Sequence, residues 1–407
     1  MVSRSMGSGG ALEGRDYTSH PGAIRTETRQ RARDGRAWAR CYSHGLGMRA
    51  LLRSFLAVVA LAMALSGCRH RPPVTPRPLF PMTAIWTRPV PATVEGPLAV
   101  DTVSVFVATR DGAVRALDAE TGRPRWRVDN RPGVVAAAGG LVALRGEDGT
   151  VWTMDAGTGS DRWKAASGVR GSLPAVLYKD VVIVAGEGLA VLEATTGQPR
   201  WSAPEARATA SPLAWGPWLF LGEADGSLRC RDLVTGAVLW SYKTAHPLVA
   251  PPVVDDDGHV LLGTTDRRFV ALDPRKKGDV RWSWKIGGDV QAPPALSGGY
   301  VLFTNHEDVL YTLRRGNGHL AWRASLPSRP LSGPIPYGDG ILVACFGNRP
   351  GETFLIGFDP RTGQRQGDLK APGEVRTPPV IVGDVIVMAL RDRAVAALRL
   401  GSVGPNP

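Results

Sequence analysis

Apolar runs alternate with turn residues from Phe106 to Trp126 (FVATRDGAVRALDAETGRPRW), a pattern that predicts three strands joined by two turns. Val105, Phe106, Val107 and Ala108 form an almost unbroken apolar run, as expected of a strand buried on both faces. Asp111-Gly112 predicts a two-residue hairpin with positive φ. Val114, Ala116 and Leu117 return to the core, and Asp118 is placed to accept hydrogen bonds from the amides of the next turn. Gly122 supplies a left-handed residue for the second reversal, and Trp126 brings a large flat side chain to the edge of the unit.

The pattern recurs at Val142–Trp163, Val182–Trp201, Leu219–Trp240, Val260–Trp282 and Val301–Trp322. Trp86, Trp126, Trp163, Trp201, Trp240, Trp282 and Trp322 are separated by 40, 37, 38, 39, 42 and 40 residues. A period near 40 with several short strands per repeat predicts a radial array of blades. Middle-strand hairpins begin near Phe106, Val142, Val182, Leu219, Val260, Val301, Ile341 and Val385, which gives eight. The seventh has a long turn (FGNRPGETF) and polar residues around Gln366 where the tryptophan belongs. The eighth ends at Leu400 without a Thr-Gly turn or a last strand, whereas Ala84–Arg88, with Trp86, is a strand without a hairpin before it. Pairing the two predicts an all-β protein over residues 82–401, an eight-bladed β-propeller of four-stranded antiparallel blades closed by the N-terminal strand. A short tail follows at 402–407.

The fixed place of the seven tryptophans in the repeat marks them as structural inter-blade residues, each burying on the order of 200 Å². Trp215 and Trp218, in AWGPWLF, lie outside that slot and are candidates for an exposed contact. The net charge of +12 does not change this picture, because residues 1–47 and the segment up to Arg77 hold most of the excess. No basic patch interleaved with aromatics stands out, which argues against nucleic-acid binding.

Residues 1–47 lack apolar periodicity and are expected to be untranslated or disordered, because Met48 begins a complete export signal. Arg49 and Arg53 precede an apolar run from Phe55 to Leu65, too short to span a bilayer. The signal, 48–67, ends in Leu65-Ser66-Gly67 before Cys68, which resembles a bacterial lipobox. That resemblance implies an acylated Cys68 as the first mature residue and a stable membrane anchor. Arg69 in place of an aspartate points to the outer membrane, at its periplasmic face. The proline-rich stretch 68–81 reads as a semi-rigid tether of roughly 40 Å.

The wording Ala116-Leu117-Asp118, Thr121-Gly122, Trp126 resembles two related families, the quinoprotein dehydrogenases and the BamB-like lipoproteins of the outer-membrane β-barrel assembly machinery. The first resemblance implies an enzyme with pyrroloquinoline quinone and calcium at the axis and, in many members, a disulfide between adjacent cysteines. Here Cys41 and Cys68 precede the ring, and Cys230 and Cys345 sit in separate blades and read as buried thiols. Asp255-Asp256-Asp257-Gly258 reads as a solvated turn lacking further calcium ligands, and His246, His259, His306 and His319 are scattered. No cofactor and no metal site are therefore expected.

The second resemblance fits the signal, the tether, the lean blades and the missing seventh tryptophan. It implies a non-enzymatic scaffold, a monomer within a complex, that docks the central (BamA-like) barrel-assembly protein. The family arginine five residues before the proline of the fourth blade corresponds to Arg207, before Pro212. Ala206 stands where the family has leucine, and Pro247–Val254 lacks the family's acidic pair. A scaffold for another envelope partner is the remaining alternative.

Overall fold

The computed structural model describes residues 79–347 and 349–400. The stretch 1–47, the signal 48–67, Cys68, most of the proline-rich segment, Gly401 and the tail 402–407 lie outside the described residues.

Hydrogen-bond ladders build eight four-stranded antiparallel sheets, seven of them in strict chain order. The eighth is ordered Met82–Pro89, Ala394–Leu400, Val385–Leu390, Val380–Val382, so the first strand of the ring is the outer strand of the last blade. Met82 faces Leu400 and Pro89 faces Ala394, with a bulge between Ala84 and Trp86. The first strands of neighbouring blades, such as Ala99–Val100, Val134–Ala138 and Val380–Val382, lie side by side and so surround the axis. This is the eight-bladed propeller that the repeat predicts.

The middle strands carry the core because both their faces meet a neighbouring blade. Ser104–Thr109 and Val385–Leu390 are buried at every position. Phe106, Val114 and Ala116 of the first blade pack on Val142, Leu144 and Met154 of the second. Each fully buried Val, Leu or Phe contributes about 1.5–3 kcal/mol relative to exposure. These contacts, more than any single turn, hold the ring together.

The Asp111-Gly112 hairpin differs from the two-residue expectation. Thr109 pairs with Ala113, which leaves Arg110, Asp111 and Gly112 in a three-residue loop. Of these three, Gly112 is the residue with positive φ, at 76°. The Asp111 carboxylate accepts from the Thr109 hydroxyl at 2.5 Å and from Ala113 N at 3.3 Å, so the ladder closes at Thr109, one residue before a two-residue loop would close it.

The Asp-Thr-Gly turn behaves as its residues dictate. Asp118 Oδ1 accepts from Thr121 N at 2.9 Å and from the Thr121 hydroxyl at 2.7 Å. Asp155, Asp232 and Asp359 repeat the bond to the amide three residues on. These bonds favour the carboxylate, and the Arg162 guanidinium, ahead of the Thr158 hydroxyl and amide, lowers the Asp155 pKa to about 2. A lowered pKa stabilises the fold above the unfolded value of about 3.9 and ceases to do so as pH falls through the folded value. Carboxyl NMR titration of the folded protein is expected to place the Asp155 midpoint near 2, and an unshifted midpoint would show an open turn.

The turn glycine has a second task, because the indole of the preceding blade lies on it. A Cβ on Gly122 would come within 2.6 Å of Trp86, and one on Gly159 within 2.7 Å of Trp126. Gly197, Gly236, Gly278, Gly318 and Gly363 meet Trp163, Trp201, Trp240, Trp282 and Trp322 in the same way. Six of the indoles also donate Nε1–H to a carbonyl of that turn, Trp86 to Ala119 and Trp126 to Ala156 among them. Trp240 Nε1 finds no acceptor among the described residues, and a 3-10 turn at Pro274–Lys276 replaces the usual turn in the fifth blade.

Two expectations are corrected. Leu79 is fully buried, so the tether does not extend to residue 81. Trp215 and Trp218 stack at 5.5 Å between ring centroids and pack against the core between the fourth and fifth blades, where Gly258 leaves room for Trp215. They are packed side chains rather than a displayed contact.

Candidate partner-docking surface

Antiparallel meanders place the middle hairpins and the connections between blades on one face of the ring. The Asp-Thr-Gly turns lie on the other. Arg207 lies on the first face, in the connection from Pro199–Ala203 to Leu213–Trp215. Its backbone is clamped from both sides, because Ala224 N donates to Arg207 O at 2.8 Å and Ala208 N donates to Gly186 O at 2.9 Å. The side chain is exposed, and Nη1 donates to its own loop at Pro204 O, 2.6 Å, and Ala206 O, 2.7 Å. The neighbouring Ala206 is buried. The result is a rigidly based guanidinium with further donors free to reach solvent or a partner.

Beside it lies an ion network that the sequence does not announce. Glu223, 3% exposed, receives Arg229 and lies 3.7 Å from Arg231. Arg231 also reaches Glu205 at 3.2 Å, and Arg229 reaches Asp225 at 2.7 Å. The Glu205 carboxyl is held below its ordinary value by a backbone amide first and, after the opposing effect of burial, by Arg231. The network ties the connection carrying Arg207 to the middle strands of the fourth blade. Glu223 and Asp225 lie in the same hairpin as Arg229 and Arg231, whereas Glu205, 26 residues before Arg231, is brought in by the fold.

Asp255, Asp257 and His259 bring their ligand atoms within 4.8 Å of one another, and Asp255 is buried, not solvated as the turn suggests. Asp255 and His259 are already engaged, however. His259 N donates to Asp255 Oδ1 at 2.8 Å, and Arg281 Nη1 donates to His259 Nε2. Arg315 holds Asp256 at 2.9 Å, and Arg275 binds the Asp257 carbonyl. This acidic turn is clamped by arginines.

A cavity of about 420 Å³, where the chain enters the first strands of the sixth and seventh blades, is lined by Gln291–Ala295, Leu331–Pro336 and Pro378. It offers no carboxylate, so its lining does not fit a calcium-bound quinone, which needs several oxygen ligands from acidic side chains. Cys230 and Cys345 are free and fully buried, and burial pushes both thiols up to about 12, which makes them unreactive. Cys68 lies outside the described residues.

Eight lean four-stranded blades, an Asp-Thr-Gly turn in four of them and an indole seated on the next blade's glycine at seven seams define a propeller of PQQ-like repeats. Within that class, the sequence profile described as "Outer membrane protein assembly factor BamB" matches residues 83–216 and 224–402. The chain belongs to that family. It is 26% identical over 188 residues to the protein of that name from Nitrosomonas eutropha, covering 43% of this chain and 45% of that one. It is 24% identical over 333 residues to the one from Moranella endobia, covering 74% and 84%. The match thus spans about half the length of the first relative and most of the second. The crystal structure of BamB from Moraxella catarrhalis shares the fold with a TM-score of 0.68 at 18% identity, covering 80% of this chain and all of that one.

Proposed function

We propose that the chain is a non-enzymatic scaffold lipoprotein, held through Cys68 at the periplasmic face of the outer membrane. There it docks the central barrel-assembly protein and aids insertion of outer-membrane proteins. The observation that carries this reading is the family match across both halves of the ring. The chain enters the ring where Met82 faces Leu400, at the face of the Asp-Thr-Gly turns. Arg207 is on the opposite face, away from the entering segment.

Purification of the tagged protein from membranes is expected to recover the barrel-assembly complex. A quinone absorbance in the purified protein, or a complex lacking every barrel-assembly subunit, would overturn the reading. In the same experiment Arg207→Ala should leave the melting temperature unchanged, because among the described residues the side chain bonds to its own loop. As an interface anchor it should weaken recovery by about 2 kcal/mol, roughly thirtyfold in affinity. Arg361, exposed on the opposite face, is the control. Arg231 cannot serve, because it is buried in the ion network. Equal recovery with both variants would leave Arg207 merely solvated.

A further inference from the structure

Seven seams of the ring hold an indole on a glycine, and the seam between the seventh and eighth blades does not. The register explains why. In the sixth blade Thr312 faces Trp322, and at the matching place in the seventh Gly357 faces Gly367. The indole position is therefore occupied by Gly367, one residue beyond Gln366. Among the described residues the eighth blade also offers no turn glycine to receive a wedge, and its outer strand is Met82–Pro89.

The vacated space is filled from elsewhere in the chain. A Cβ on Gly367 would come within 2.8 Å of the Phe80 ring, and one on Gly357 within 2.6 Å of it. A Cβ on Gly340 would come within 2.5 Å of Leu79. Leu79 is fully buried among Leu342, Ala344 and Leu355 of the seventh blade and Ile386, Met388 and Leu398 of the eighth, and Phe80 packs against the same cluster. Three glycines thus stand where side chains would collide with two residues that precede the first strand.

We propose that Leu79-Phe80 is a latch. It supplies from the segment before the first strand the wedge that the seventh blade lacks, and the last seam closes only when that segment is seated. The ring then has one seam whose closure depends on the entering chain, while the other seven depend on residues of the blades themselves. A pull on the entering chain acts directly on this seam.

Hydrogen exchange of the full-length protein tests the latch. Leu79→Ser with Phe80→Ser should raise exchange in Gly340–Phe346, Thr353–Phe358 and Val385–Leu390 on the order of 100-fold, with the second to fifth blades unchanged. Unchanged exchange in those three strands would make the two residues passengers. Should that variant fail to fold, a cycle of Gly357→Ala and Phe80→Ala decides the matter. Alanine at 357 crowds the Phe80 ring, so it should be tolerated better once Phe80 is truncated. Additive effects of the two substitutions would overturn the proposal.

Discussion

A chain beginning after Pro89 is expected to lose its eighth blade and to melt far below the full-length protein. Removing Met82–Pro89 strips Ala394–Leu400 of its outer partner and leaves an unpaired, apolar edge of the kind that aggregates. It also removes Trp86, whose Nε1 donates to Ala119 O at 2.9 Å and whose ring covers Gly122 in the first blade. Arg399 on the abandoned strand still reaches Glu120 of the first blade, but one exposed ion pair adds little. Because the truncation also removes Leu79-Phe80, Trp86→Ala isolates the indole. The ring is half-buried, so the cost belongs at the low end of tryptophan truncations, about 3 kcal/mol in urea unfolding. A truncated chain with an unchanged melting temperature would mean that the first strand only decorates the ring.

What was legible in the sequence was whatever is local and repeated. Asp118, Thr121, Gly122 and Trp126 lie within nine residues, and each acts through a turn or an adjoining strand, so their spacing alone carries the fold. Closure by the first strand was legible for a related reason, since the repeat leaves one strand unpaired at each end. The hairpin at Asp111 was misjudged by one residue because a side-chain bond to Thr109, invisible in a two-residue motif, ends the strand one residue early.

The candidate site was less legible. Arg207 can be placed from family spacing, but its clamp by Gly186 and Ala224 comes from two different hairpins. The seventh blade looked merely irregular. Its glycines at 340, 357 and 367 make sense only beside Leu79 and Phe80, more than 250 residues earlier in the chain. Composition records such glycines as flexibility, whereas in the fold they are room for another segment.

The second large effect is expected at Arg145, the end of the strand Leu141–Arg145 in the second blade. It pairs with Val151, a place held by Ala108, Gly222 and Gly263 in other blades, opposite Val114, Leu228 and Phe269. The side chain is 1% exposed, yet no carboxylate among the described residues pairs with it. It crosses into the third blade instead, where Nη1 donates to Leu173 O at 2.6 Å and Ala185 O at 2.7 Å, and Nη2 donates to Val169 O at 3.2 Å. A Cβ on Gly186 would come within 2.9 Å of Nη2, so the neighbouring backbone is shaped around the guanidinium. Burial lowers the Arg145 pKa, but arginine keeps its proton in proteins. Replacing a buried ion pair by apolar groups is often neutral, because both charges go together. Here the partners are carbonyls of the main chain, which no substitution at 145 removes. Each buried carbonyl left without a donor costs about 1–3 kcal/mol, less where water enters. Arg145→Met is therefore expected to destabilise the ring by about 3 kcal/mol or more in urea unfolding. Arg145→Lys should recover part of that, because an ammonium keeps the charge but lacks the fork that spans three acceptors. A methionine variant as stable as the parent would show that the carbonyls find other donors, and that the guanidinium is a tenant of this seam instead of its support.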